Sequence, residues 1–373
     1  MVQQHLTVVQ VLPALESGGV ERGTLEVAAA LVRAGHRSIV ISGGGQLVES
    51  LIQAGSEHIS MPLGRKSLLT LLQVHKLRHI LQQECIDILH VRSRMPAWIA
   101  WLAWRGMPAD RRPCFVTTVH GLYSVNRYSA IMTRGERVIA VSDTARTYIL
   151  DNYPDVDAHK ITTIYRGVNR DEFPYGYRPD EAWMTAWRKS YPYLEGRQVL
   201  TLPGRMTRLK GHADFIGLIG GLVSKGMPVH GLIVGALDPA RERFIAELRN
   251  RVAVAGLSDH ITFTGYRKDI REIYAVSDLV LSLSNKPESF GRTVLEPLCM
   301  GVPVIGYDHG GVGEILGKLY LQGSVPLGNT EMLAERAAGM LDAPLPVDEN
   351  NQFALDTMLD QTLQLYRQLA GIT

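Results

Sequence analysis

At 373 residues, with 46% hydrophobic and 20% charged positions, the chain is too long for one ordinary core and reads as two globular domains of similar size, not as a disordered or fibrous protein. No run of about eighteen uncharged apolar residues occurs, which argues against a transmembrane helix; the opening MVQQHLTVVQVLP lacks the pattern of a signal peptide, so the expected location is the cytoplasm. The net charge of +2 divides into about +6 over residues 1–170 and about −4 over the rest: the basic half either faces something anionic, though not nucleic acid, or reflects ordinary surface variation.

In chain order, LTVVQVL at 6–12 is a short apolar run, followed by a Gly-containing turn and a helical pattern over 20–34. Strands are then expected at 38–42, 86–91, 114–120 and 137–142, separated by helix-compatible sequence. Such alternation predicts right-handed crossovers and a mostly parallel sheet. A region containing Pro174, Gly176, Pro179 and Pro192 reads as a connecting segment, after which the pattern restarts with RQVLTLPG near 197. Further strands are expected at 229–235, 260–265, 279–284 and 302–307. Phe353, Leu355, Leu359, Leu363 and Leu369 space out a terminal amphipathic helix over 352–369. Cys85, Cys114 and Cys299 are odd in number and far apart, so they are expected to be reduced, mostly buried thiols, neither a disulfide framework nor a zinc site.

In an open parallel sheet, ligands collect at the carboxyl ends of strands, where loops and helix N-termini offer free backbone N–H groups. Five segments sit there. Glu16-Ser17-Gly18-Gly19-Val20-Glu21-Arg22 follows the first strand; its paired glycines serve a tight turn or let the backbone approach a phosphate or sugar. His120-Gly121 ends the strand at 114–119, where an imidazole is either structural or aimed at a ligand. Gly204-Arg205-Met206-Thr207-Arg208-Leu209-Lys210-Gly211 places two or three cations ahead of a helix, either as a solvated basic loop or as a seat for a diphosphate. Glu288-Ser289-Phe290-Gly291-Arg292-Thr293-Val294-Leu295-Glu296 carries two carboxylates eight positions apart. Carboxylates accept hydrogen bonds from vicinal hydroxyls, and the amides of 291–294 could meet a diphosphate. Pro297 fits only if Glu296 still lies in the first helical turn. Gly310-Gly311-Val312-Gly313-Glu314 is expected as a flexible loop.

Taken together, GGVER at 18–22, HG at 120–121, GRMTRLKG at 204–211, the Glu288 to Glu296 element and GGVGE at 310–314 resemble glycosyltransferase family 4. The resemblance spans nearly the whole chain and is strongest over 198–315. It implies the GT-B fold: an α/β pair of Rossmann-like, doubly wound domains facing across a cleft. Residues 1–170, joined by the C-terminal helix at about 352–373, would bind the acceptor, and 171–351 the nucleotide sugar. It also implies retaining transfer from a nucleotide-diphosphate sugar, UDP-linked by expectation, with no cofactor and no metal. Arg205 and Lys210 would neutralise the diphosphate, Glu296 hold the ribose and Glu288 meet sugar hydroxyls, with Ser289, Phe290, Gly291, Arg292 and Thr293 lining the donor. Gly18 and Gly19 would approach the phosphates, and His120 the sugar. Asn169, in Arg166-Gly167-Val168-Asn169, matches a family element at the domain junction.

Arg92 and Arg94 follow a strand and suit an anionic acceptor, a saccharide or lipid-linked saccharide of lipopolysaccharide core or envelope type. Arg65-Lys66-Ser67-Leu68-Leu69 through His75-Lys76-Leu77-Arg78-His79 is a basic amphipathic helix candidate that rests on an anionic bilayer or packs on the sheet. Trp98, Trp101 and Trp104 recur at helical spacing as core or sugar platform. Asp155 and Asp157 read as a solvated turn. The competing classes are a nucleotide-sugar epimerase or hydrolase, which needs no acceptor, and a non-catalytic nucleotide-sugar-binding partner.

Overall fold

The computed structural model describes residues 5–16, 18–65, 67–349 and 352–372. The chain divides into two compact units, one of Met1–Arg166 with Asp356–Thr373 and one of Gly167–Leu355.

The first unit carries β1 (Thr7–Val11), α1 (Gly19–Arg33), β2 (Arg37–Ser42), α2 (Val48–Gln53), β3 (Glu57–Ser60), α3 (Gln73–Gln83), β4 (Ile88–Val91), α4 (Arg94–Arg105), β5 (Cys114–Val119), β6 (Arg137–Ala140), α5 (Asp143–Asn152) and β7 (Ile161–Thr163). Its seven strands lie in the order β3-β2-β1-β4-β5-β6-β7, all pairs parallel. Every residue of β4 is buried, as expected of a strand covered on both faces. Local chemistry sets the boundaries. Ser142 caps α5 by accepting from the Ala145 amide at 2.9 Å, which supplies one of the bonds a first helical turn lacks. The C-terminal helix Leu355–Leu369 returns to this unit, where the Cys114 thiol donates to the Leu369 carbonyl at 3.3 Å.

The second unit carries α6 (Glu181–Ser190), β8 (Gln198–Pro203), α7 (His212–Ser224), β9 (Val229–Val234), α8 (Glu242–Val254), β10 (Ile261–Gly265), α9 (Ile270–Ala275), β11 (Leu279–Ser282), α10 (Arg292–Cys299), β12 (Val304–Tyr307), α11 (Gly310–Leu319), β13 (Ser324–Val325) and α12 (Thr330–Asp342). Strand order is β10-β9-β8-β11-β12-β13, again parallel throughout. Each sheet therefore reverses direction beside its own first strand, between β1 and β4 and between β8 and β11. The carboxyl edge opens there because neighbouring loops diverge.

Several expectations change. The segment read as a connector contains α6, capped by Asp180 accepting from Trp183 N at 2.8 Å, and its Trp187 is buried in a core with Leu194, Val199 and Leu232. The strands β3, β7 and β13 were not anticipated; β3 is polar and β13 has two residues, too little apolar signal to read. The basic segment at 65–79 is not one helix: 68–72 is a 3-10 turn and α3 starts at Gln73. Lys66 and Ser17 lie outside the described residues. The thiols are not mostly buried, since Cys85 is exposed, Cys114 half-buried and only Cys299 buried. Trp98, Trp101 and Trp104 are half-buried, and the first and last donate to the Tyr128 and Pro113 carbonyls.

Candidate functional site

In the second unit, the loops after β8, β11 and β12 are tied into one edge. Gly211, at φ +68°, caps α7 so closely that a Cβ there would stand 1.9 Å from the Leu283 carbonyl oxygen; only glycine fits both the left-handed backbone and the gap. That approach zips the first loop to the second: Asn285 N donates to Leu209 O at 2.9 Å and Asn285 Nδ2 to Arg208 O at 3.0 Å. The second loop is held to the third by Gly311 N donating to Glu288 O at 2.7 Å, and by His309 Nε2 against Ser284 O at 2.6 Å.

The fastening brings Lys210 and Glu288 together. Lys210 Nζ donates to Glu288 Oε1 at 2.6 Å, and the Ser284 hydroxyl donates to the same oxygen. Both charged side chains remain partly exposed, at 20% and 24%, so the pair is reachable by a ligand. Arg205, in the same loop, is exposed. Arg208 turns the other way, pairing with Glu247 and lying over the Phe244 ring.

Glu296 belongs to a separate constellation. Its carboxylate takes Arg292 Nε at 3.0 Å and the Tyr274 hydroxyl at 3.3 Å, and the residue is 8% exposed. Burial, then the neighbouring carboxylate, pushes the Tyr274 phenol far above its usual range, so it stays a donor. Arg292 is thus engaged by Glu296. Phe290 is buried and packs edge-on against Phe353, so its ring serves the core. The Val294 amide, expected to face a ligand, donates to Gly291 O at 2.9 Å. Pro297 stands inside α10, past its first turn. The glycine run at 310–314 is no flexible loop, because α11 starts at Gly310 and Glu314 pairs with Lys318.

In the first unit the strand ends gather cations and imidazoles. Arg166 Nη1 lies 3.2 Å from His120 Nδ1, and its Nη2 donates to the Gly19 carbonyl. Gly18 caps α1 without a side-chain bond. His90 bridges the Tyr366 hydroxyl at 2.5 Å and the Thr118 hydroxyl at 2.6 Å. A cavity of about 30 Å³ lies among Gly23, His90, Arg92, Thr118, His120 and Arg166. Burial foremost, then the charge of Arg166, holds His120 well below the usual histidine range; burial and Arg92 do the same to His90. Arg92 does not face an open surface as expected: it is 4% exposed, behind the strand end. Arg94 lies over the Tyr123 ring at 4.6 Å and the Tyr128 ring at 5.4 Å. Asn169, in the second unit, accepts from Asp171 N at 2.9 Å and so shapes a turn.

Sequence reading missed Ser284, His309 and Tyr274, single polar residues with no pattern around them, and gave Arg166 no role of its own within the element 166–169. Among the described residues no group of three His, Cys, Asp or Glu side chains could hold a metal ion.

Comparison with known proteins identifies the class. Residues 17–172 match the family model for Glycosyltransferase Family 4, and 184–354 that for Glycosyl transferases group 1. A glycosyltransferase from Rickettsia africae ESF-5 superposes with a TM-score of 0.86 at 32% identity, over 98% of each chain. HepE of Anabaena, solved in complex with UDP and glucose, superposes at 0.80 and 20% identity over 98% of this chain and 100% of its own, a likeness of fold. N-acetyl-alpha-D-glucosaminyl L-malate synthase of Bacillus anthracis is 29% identical over 273 residues, 71% of this chain and 68% of the relative. The protein is therefore a glycosyltransferase, an enzyme acting on nucleotide sugars. It belongs to family 4, with the two Rossmann-like domains of the GT-B fold.

Proposed function

We propose that the protein is a retaining transferase moving a sugar from a UDP-linked donor to a saccharide or lipid-linked saccharide acceptor of lipopolysaccharide-core or envelope type. The observation that carries this reading is the Lys210–Glu288 pair, fastened by Ser284 and three strand-end loops. Breaking the glycosidic bond leaves negative charge on the departing diphosphate and positive charge on the anomeric carbon. Lys210 and Arg205, fixed before reaction, stabilise the first more in the transition state than in the ground state. Lys210 exchanges Glu288 for the diphosphate, and Glu288 turns to the sugar hydroxyls.

Glu296, oriented by Arg292 and Tyr274, holds the ribose, while the backbone amides of 291–293 add to the phosphate cradle. In the first unit, Gly18 and Gly19 approach the phosphates and His120 donates to the sugar. Arg94 and Asn169 stand on the acceptor side; Arg92, buried, acts on its neighbours and not on the acceptor. Retention follows from same-face attack through an oxocarbenium-like ion pair, with the leaving phosphate taking the acceptor's proton. No metal takes part, and chelation leaves the rate unchanged. The UDP bound to HepE supports the choice of base.

No described helix is long and apolar enough to cross a membrane. Leu71 and Leu72 are nevertheless exposed beside Lys76, and we place this patch on the anionic inner face of a bilayer. The decisive experiment follows UDP release and product anomer with a donor panel and envelope saccharide acceptors. Transfer with retained configuration is expected; free sugar or an epimer formed without acceptor would replace the reading by hydrolase or epimerase chemistry.

A further inference from the structure

Arg166 is among the residues that the site's chemistry has not yet used. It is 8% exposed, and its guanidinium forks between two strand-end loops, Nη1 to His120 Nδ1 at 3.2 Å and Nη2 to the Gly19 carbonyl. The seat is shaped for it: a Cβ on Gly23 would stand 2.5 Å from Nη2. A guanidinium has five N–H donors and no acceptor, so the imidazole atom facing it must present a lone pair.

From this geometry we infer that Arg166 is a positioning residue that holds His120 as the neutral tautomer with its proton on Nε2, and locks that ring to the Gly18-Gly19 turn. The inference rests on the placement of His120 at the sugar proposed above. Its chemical consequence is definite. His120 meets the ligand as a hydrogen-bond donor, suited to an oxygen of a hydroxyl or phosphate, and takes up no proton on Nδ1, which is already occupied. Because the same guanidinium holds Gly19, the donor atom and the glycine turn move as one piece. A group that orients a metal-ligating histidine from behind is worth about 10- to 100-fold in affinity or activity, and the clamp on His120 is expected to act on the same scale.

The test uses the full chain labelled with ¹⁵N-histidine, with the His120 signals assigned from His120→Gln. In the parent at neutral pH, His120 is expected to show a protonated Nε2 and an unprotonated Nδ1. Arg166→Met should mix the tautomers and lower kcat by about 10- to 100-fold with a smaller change in KM, whereas Arg166→Lys, which keeps a donor, should restore the Nε2–H signature in part. Gly23→Ala gives an independent route, since alanine favours α1 while its methyl displaces the far end of Arg166; it should shift the His120 signals in a folded protein. A parent spectrum with the proton on Nδ1, or His120 signals unmoved in both Arg166→Met and Gly23→Ala, overturns the clamp. His120→Ala transferring at the parental rate overturns instead the reading that His120 meets the substrate.

Discussion

The two units share an architecture and a reversal point in the sheet, yet treat charge at that edge in opposite ways. At the second unit's edge two of the cations face carboxylates: Lys210 with Glu288, Arg292 with Glu296. At the first unit's edge the cations Arg92 and Arg166 sit among His90 and His120, which burial keeps neutral. Paired, partly exposed charges can change partners when an anion arrives, at little cost to the empty site. Buried neutral donors cannot neutralise an anion but can orient hydroxyls without a desolvation penalty for charge. One fold thus offers an edge of cations paired with carboxylates and an edge of buried cations set among neutral imidazoles.

The largest expected effect breaks the second unit's edge. Lys210→Ala should lower transfer by about 10²- to 10³-fold with the melting curve unchanged, because the pair is partly exposed. A rate within about threefold of the parent removes Lys210 from the mechanism. Next, the glycine that fastens this edge can be set against the one behind the first unit's edge. Gly211→Ala, at φ +68° and 1.9 Å from a carbonyl, should cost about 2–4 kcal/mol in denaturant unfolding; Gly23→Ala should stay within about 1 kcal/mol of the parent. Equal losses would mean that the loops, not the close approach, set the geometry.

A third prediction concerns pH. Burial lowers His212 and His230 to about 4 and holds His90 and His120 well below the usual histidine range. The unfolded chain binds protons as pH falls through about 6.5, while the folded chain does not, so stability is full above that value. It should fall between pH 6.5 and 4, by up to about 1.4 kcal/mol per pH unit for each such histidine. Urea titrations at several pH values check the slope, and stability that is flat or rises on acidification contradicts it. The smallest effect concerns the first unit's edge: Tyr366→Phe removes the hydroxyl bonded to His90 and should cost about 1–2 kcal/mol in denaturant unfolding.

Much of this was legible in the chain. Most strands of both sheets follow from short apolar runs between helical patterns, and the strand-end rule put Gly18, His120, Lys210 and Glu288 at the carboxyl edges without coordinates. What escaped was of two kinds. Polar or very short strands such as β3 and β13 carry no apolar period, and α11 opens with glycines that mimic a loop. Partners such as Ser284 and Arg166 are single residues whose meaning depends on what folds against them. Arg92 misled for the same reason: a position after a strand does not say whether the side chain turns outward or into the unit.

By itself the sequence determined the class of fold and which loops stand at the strand ends, because hydrophobic periodicity and the polarity of parallel strands are local properties of the chain. Only the tertiary structure decided which charge meets which, that Lys210 holds Glu288 while Glu296 is taken by Arg292 and Tyr274, and that Arg166 reaches His120. Those pairings join residues 78 and 46 positions apart in two of these cases. They are set by loop closure and backbone approach at single glycines, quantities that no local pattern encodes.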